Sequence, residues 1–378
     1  MRPTELPPEF EHFATRHHVP FLGVHAATAT RLRTERFVTT LELRRSPLCF
    51  PLDRELYFDP LFTRHKKIAA AQVTTFGADL VHITGPGDVG ILGAWVAHGL
   101  RLPLVASWHT NLQEYAERRL DRILTWMSPR LRWKISAAAE RRSLDALLHF
   151  YRTRLLMAPN QEMVDFLRQR TAKPTTLMPH GVDAALFSPE RRNRQDHVFI
   201  LGYVGRLTPE KNVRMLVEIE RALLDCGLRD FRLVLVGDGS EQIWLKANLR
   251  HAEFRGTLRG LALERAYAAM DVFLFPSRTD TFGLVVVEAM ASGVPAIVAS
   301  GGGPQYQVRS GQTGFVASTP TDFAQRILEL RNDPFLHSRM RQAARQHACS
   351  ATWDNVFLSV YESYDKALNW DIEKAEGE

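Results

Sequence analysis

Short apolar, β-prone runs alternating with helical segments predict an α/β protein of two doubly wound, Rossmann-like domains with parallel sheets. Three observations carry this expectation. Ten strand-like runs fall into two groups of five, helical stretches lie between them, and one polar, charged segment, "SPERRNRQDH" (188–197), separates the groups. Repeated strand–helix–strand units cover both faces of a parallel sheet, so its strands read as continuous apolar runs.

The elements follow in order. "PPEFEHFATRHH" reads as a first helix and "VPFLGVHA" (19–26) as the strand after it. Further strands are "DLVHITG" (79–85), "PLVASWHT" (103–110), "RLLMAP" (154–159) and "TTLMPHGV" (175–182), with helical stretches near 64–76, 88–99, 113–147 and 161–171. The second half gives "HVFILGYVG" (197–205), "RLVLVGDG" (232–239), "AEFRGT" (252–257), "DVFLFPS" (271–277) and "PAIVAS" (295–300). Between the first two of these, a helix over 212–226 sets Val213, Leu216, Val217, Ile219, Leu223 and Leu224 on one stripe. The expected domains are 1–188 and 189–352, followed by an amphipathic helix within 353–378 that is free to pack on either. In open parallel sheets ligands bind beyond the carboxyl ends of the strands, so the expected site is a cleft between the two sheets.

Composition narrows the class. With 45% hydrophobic and 24% charged residues the chain is globular, and no run nears the roughly 18 apolar residues of a membrane span. The opening residues lack the apolar core of a secretory signal, and three widely spaced cysteines (Cys49, Cys226, Cys349) read as reduced thiols. A cytoplasmic protein is expected, peripheral at most on the inner membrane face. Of the net charge of +6, residues 118–154 carry +7 and the remainder −1. That stretch also holds Trp126, Trp133, Phe150 and Tyr151. It is either a face for anionic lipid headgroups or a solvated helical face with its aromatics turned inward. No nucleic-acid motif is visible, so nucleic acid is not an expected partner.

Three stretches carry chemistry. "VGRLTPEKN" (204–212) follows a strand and opens a helix, with Pro209 in the first turn. Gly205 permits close backbone approach, while Arg206 and Lys211 bring two cations to a helix start that already favours anions. This reads as a diphosphate clamp or as an ordinary βα turn with solvated charges; a Walker A loop is absent. "LVGDGSE" (235–241) is a strand and a glycine turn. "SRTDTFGLVVVEAMASGVPAIV" (277–298) sets Asp280 before a helix and Glu288 inside it, in an otherwise apolar run. A carboxylate at such depth needs a partner, either a vicinal diol of a ribose or a nearby arginine. The backbone N–H groups of Phe282, Gly283 and Leu284 stand where an anion would want donors.

Taken together, "GRLTPEKN", "LVGDG", "FPSRTDTFGLVVVEAMASGVPAIVASGGG" and "SGQTGFV" resemble the nucleotide-sugar half of the retaining GT-B glycosyltransferases of family 4, also called group 1. "VHITGPGDVGILGAW" and "PLVASWHTNLQEYAERRL" resemble members that glycosylate lipids or polyprenyl carriers, and "MPHGVDAALFSP" resembles the passage between the domains. The resemblance implies that Arg206 and Lys211 hold the donor diphosphate, Glu288 the ribose and Asp280 a sugar hydroxyl. Gly205, Phe282, Gly283 and Leu284 would complete the donor site. His109 in "SWHTN" would face the anomeric centre; the plainer reading is a core or turn histidine. No cofactor or metal is expected, since no D-x-D follows a strand and no His/Cys cluster occurs.

Two departures stand out. The family's first acid is usually Glu, and here it is Asp280, one methylene shorter. The family also opens with a strand and a Gly-rich loop, whereas this chain reads as beginning at the following helix, leaving the first sheet one strand short. The implied activity is transfer of a hexosyl group, with retention, from a nucleotide-diphosphate sugar to a lipid or glycan hydroxyl. A nucleotide-sugar epimerase and a non-catalytic nucleotide-binding member are the alternatives.

Overall fold

A computed structural model of the chain describes residues 8–51, 57–108 and 153–376. Its contacts divide the chain into two compact units, Met1–Met178 with Phe357–Glu378, and Pro179–Val356. The division thus falls ahead of the polar segment at 188, because the backbone N–H of Val182 already donates to Ala351 O at 2.9 Å within the second unit.

In the first unit, strands β1 (Phe21–Ala27), β2 (Arg31–Glu35) and β3 (Val38–Arg44) form one sheet in the order β1-β3-β2, with β1 and β3 parallel and β2 and β3 antiparallel. The two-residue strands β4 (Phe50–Pro51) and β5 (Tyr57–Phe58) pair antiparallel. A separate parallel sheet runs β6 (Val81–Ile83), β7 (Leu104–Ser107), β8 (Leu155–Ala158) and β9 (Thr175–Leu177) in sequence order. The expectation of one parallel sheet is therefore corrected: the described strands of this unit form separate sheets, one of them mixed. The β2–β3 hairpin escapes a search for apolar runs because every residue of β2 is exposed.

The helix Asp88–Leu100 serves both layers. Leu92 and Val96 are buried with Leu41 and Leu43 of β3, while Ala94 and Ala97 are buried with Ile83 and Leu104. Its first residue, Asp88, pairs with Arg45 and accepts from Asp59 N at 3.0 Å. Asp59 in turn accepts from Ser46 N and Oγ, Leu61 N and Arg64. Burial pushes the Asp59 carboxyl up, but these four donors outweigh it and hold it well below the usual range. The helix Trp353–Glu376 packs on this unit: the Phe357 ring lies 4.1 Å from that of Phe10, and Tyr364 Oη lies 2.6 Å from His82 Nδ1.

The second unit holds six parallel strands, one more than expected: β10 (Phe199–Val204), β11 (Phe231–Val236), β12 (Ala252–Phe254), β13 (Val272–Phe275), β14 (Ala296–Ala299) and β15 (Gly314–Ala317). The additional strand β15 lies at the sheet edge beside β14, and its "GFVA" sits directly after the polar turn "SGQT". The order is β12-β11-β10-β13-β14-β15, a doubly wound sheet whose direction of winding reverses between β10 and β13. Helix Met215–Asp225 buries Leu216, Val217, Ile219 and Leu223 in the core, as its 3.6-residue stripe requires.

Candidate functional site

A crevice opens in a doubly wound sheet where adjacent strands send their connections opposite ways. Here β10 leads towards β11 and β13 towards β14, so the loops after β10 (205–212) and after β13 (276–283) meet at their carboxyl ends. Three bonds tie these loops together. Lys211 Nζ donates to Asp280 Oδ1 at 2.5 Å, Thr279 Oγ1 to Glu210 O at 2.9 Å, and Asn212 Nδ2 to Pro276 O at 3.2 Å.

The β10 loop is fixed from below by Tyr203, whose hydroxyl donates to Arg206 O at 2.9 Å and whose ring stacks on Phe275. From the side it is held by the glycine turn after β11. Leu207 N donates to Asp238 O, and a Cβ on Gly237 would lie 1.9 Å from Gly205 O. Those glycines thus admit a close approach between two loops as well as serving a turn. The helix expected directly at 212 is corrected. Pro209–Lys211 is a 3-10 turn, Asn212 takes left-handed φ of 52°, and the α-helix starts at Met215. Lys211 therefore meets Asp280 rather than an α-helix start, and Arg206 is more than half exposed, 3.3 Å from Glu210 Oε1.

The β13 loop is backed by "SGGGP". Gly303 N donates to Asp280 O at 2.7 Å, and a Cβ on Gly303 would lie 2.0 Å from Thr281 O. Gly283, at φ 85°, caps the helix Leu284–Ala291, so the first backbone N–H groups, Leu284 among them, have no acceptor inside the helix. Phe282 turns its side chain into the core, with His180 4.9 Å from its ring centre. On these two loops, Asp280 Oδ2, Ser277 Oγ and Thr208 Oγ1 are buried and have no hydrogen-bond partner among the described residues.

Glu288 lies one turn inside the same helix, half-buried. Its Oε2 accepts from the Tyr267 hydroxyl at 2.6 Å, so its partner is a phenol rather than an arginine. Burial pushes the Glu288 carboxyl up to about 7, with the Tyr267 hydrogen bond pulling the other way. The structure thus brings Gly205, Arg206, Lys211, Asp280, Phe282, Gly283, Leu284 and Glu288 onto two neighbouring loops and one helix of the second unit. His109 and the basic stretch 118–154, up to residue 152, lie outside the described residues. Sequence reasoning missed Tyr267, Ser277, Thr208 and Gly303. The run of three glycines directly after a buried strand was a usable signal; no local pattern marks Tyr267, which meets Glu288 only through the packing of two helices.

A doubly wound domain with an acid–lysine pair at its switch point, joined to a second α/β unit, is the arrangement that the resemblance to the GT-B glycosyltransferases implies. The family model for Glycosyl transferases group 1 matches residues 198–333, and that for Glycosyltransferase Family 4 matches residues 11–186. The chain is 33% identical over 307 residues to a GDP-mannose-dependent alpha-mannosyltransferase of Mycolicibacterium smegmatis, covering 78% of this chain and 75% of that one. It is 29% identical over 325 residues to the sulfoquinovosyl transferase SQD2 of Arabidopsis thaliana, covering 79% of this chain and 59% of the relative. Sucrose-phosphate synthase from Thermosynechococcus elongatus shares the fold with a TM-score of 0.67 at 21% identity, over 92% of this chain and 88% of that one. The chain belongs to the family 4, group 1 glycosyltransferases, and it is a nucleotide-sugar-dependent hexosyl-transferring enzyme.

Proposed function

We propose that the crevice at the carboxyl ends of β10 and β13 binds a nucleotide-diphosphate hexose and delivers the hexosyl group, with retention and without a metal, to a lipid or glycan hydroxyl. The observation that carries this reading is the Lys211–Asp280 pair beside the start of helix Leu284–Ala291, with Asp280 Oδ2 buried and lacking a partner. A buried acceptor with nothing to accept from costs stability unless a ligand hydroxyl supplies the hydrogen.

In this reading Glu288 holds the donor ribose, Asp280 a hexose hydroxyl, and Lys211 and Arg206 the diphosphate, with Gly205 allowing its close approach. The backbone N–H groups of Phe282, Gly283 and Leu284 add donors to the sugar and phosphate. As the glycosidic bond lengthens, positive charge grows on the anomeric carbon and negative charge on the departing diphosphate. The fixed, mostly buried Lys211 stabilises that leaving charge by about 3 kcal/mol on the scale of a single oxyanion donor, and the exposed Arg206 by less because water screens it. That charge stabilisation makes a metal unnecessary. The acceptor hydroxyl attacks from the face the diphosphate leaves, passing its proton to the leaving phosphate, and His109 faces the anomeric carbon. Asp280 and Glu288 bind and do not act as a glycosidase pair.

Relatives named for GDP-mannose make that donor the first probe. Lys211→Ala and Glu288→Ala should each abolish transfer from GDP-mannose or UDP-glucose to an acceptor panel; full activity in both would defeat the assignment. Incubation with donor alone separates transfer from epimerisation, which would yield an epimerised sugar nucleotide. We further propose that residues 118–154 dock on anionic lipid. Charge reversal at Arg130, Arg132 and Lys134 should then abolish co-sedimentation with phosphatidylglycerol vesicles, and unchanged binding would remove this stretch as the docking face.

A further inference from the structure

We infer that Tyr267 is a positioning residue of the donor site: its hydroxyl fixes one oxygen of Glu288, so that the carboxylate presents the other to the donor ribose. This rests on the proposed ribose role of Glu288.

The two acids of the motif are held by different chemistry. Asp280 leans on the Lys211 ammonium, while Glu288 leans on a neutral phenol. A cation would neutralise the carboxylate; a phenol orients it and leaves its charge available to two ribose hydroxyls. The phenol itself has little freedom. Tyr267 is fully buried, edge-on to Phe187 at 5.5 Å and tilted against Phe273 at 5.9 Å. Its hydroxyl therefore points where the core puts it, and Glu288 Oε2 is there at 2.6 Å.

Among the described residues, no other charged group around the helix takes over this task. From helix Leu261–Ala268, Glu264 pairs with Arg191 at 3.2 Å and Arg265 is exposed. From helix Pro334–Ser350, Arg345 donates to Ala291 O, Arg341 donates to Met270 O, and His337 Nε2 lies 2.8 Å from Asp271 O. Strands β13 and β14 bring apolar side chains alone, and the turn Gly303–Gln307 brings Tyr306. Burial is the larger effect and lifts the Glu288 carboxyl to about 7, while the Tyr267 bond works against it, so near neutrality that bond increases the ionised share of Glu288.

The test measures GDP and UDP affinity by calorimetry as a function of pH in the whole chain, in Tyr267→Phe, in Glu288→Gln and in the double variant. Tyr267→Phe keeps the ring and should weaken nucleotide binding about tenfold near neutral pH, the loss of one hydrogen bond to a charged group. The pH midpoint of binding should rise, because Glu288 loses the donor that favours its ionised form. In the Glu288→Gln background, Tyr267→Phe should have no further effect. A role in packing alone predicts a lower melting temperature with affinity and pH midpoint unchanged, or additive losses in the double variant, and either overturns the inference. A second measurement avoids truncation at Tyr267. Replacing tyrosine by 3-fluorotyrosine, a stronger donor, should move the midpoint to lower pH, and an unmoved midpoint counts against the proposal. Loss of affinity in Glu288→Gln without loss in Tyr267→Phe overturns this inference alone. Unchanged affinity in Glu288→Gln overturns the ribose reading beneath it.

Discussion

Asp280 illustrates how much one methylene decides. Its Oδ1 meets Lys211 at 2.5 Å and its backbone oxygen accepts from Gly303 N, so the residue is held at its side chain and at its backbone. Asp280→Glu should push the free oxygen further into the crevice and change the ratio of kcat/KM between two hexose donors on one nucleotide; an identical ratio would separate Asp280 from sugar choice. Gly303→Ala tests the backing of this loop. Its Cβ would stand 2.0 Å from Thr281 O, a backbone atom that yields only by moving the loop. We expect a destabilisation of about 1–3 kcal/mol in a chemical melt, together with weaker nucleotide binding. For Glu288 the sign of the pH effect runs two ways. Donor binding needs the carboxylate and should fall as pH drops through about 7. A carboxyl whose folded value lies above its unfolded one holds its proton more tightly when folded. Its ionisation therefore costs stability, a cost absent below about 4.5 and complete above about 7.

Among the elements, helix Met215–Asp225 was legible from its sequence, since its apolar stripe repeats with the turn of the helix itself. Leu216 is fully buried there, and Leu216→Ala should cost about 3 kcal/mol in a denaturant melt. The start of that helix was less legible. The expected clamp at its first turn became a 3-10 turn because Asn212 adopts a left-handed conformation that local propensity permits and does not announce. The strand "DVFLFPS" was readable as buried, and what anchors it was not. Asp271 accepts from Arg192 at 2.8 Å, from Arg194 at 2.9 Å and from Ile200 N at 2.8 Å, and Arg341 also reaches into this group through Met270 O. Asp271→Ala would leave Ile200 N without its acceptor and the two guanidinium groups without their buried counter-charge, though Arg192 keeps Ala268 O and Met270 O and Arg194 keeps Ala269 O, and we expect a loss of about 3 kcal/mol, read in the same melt.

At the scale of the molecule, each compact unit carries a histidine that must stay neutral. His82 in the first and His180 in the second are both lowered to about 4 by burial. A base whose folded value is depressed adds nothing to stability while neutral in both states and costs stability once the unfolded chain takes up its proton. Protonation of the unfolded chain begins near 6.5, so stability falls as pH drops from there towards 4. Each site is worth on the order of 3 kcal/mol across that window. Melting temperature should therefore decline steeply between pH 6.5 and 5, and a double His82→Phe, His180→Phe variant should show a shallower slope whatever its absolute stability.

The sequence by itself determined the α/β class, the periodic faces of the helices, the family likeness and the two acids flanking Phe282 and Gly283. These are properties of near neighbours along the chain: 3.6-residue periodicity, apolar runs and turn glycines repeat over distances the sequence displays directly. Only the tertiary structure decided that Lys211 meets Asp280, that Gly303 supports their loop, and that Glu288 leans on Tyr267 rather than on an arginine. It also decided that the first unit carries separate sheets and the second unit a sixth strand. Such pairings depend on which strand lies beside which. Strand order is set by burying the whole core at once, and no local window of residues contains that information.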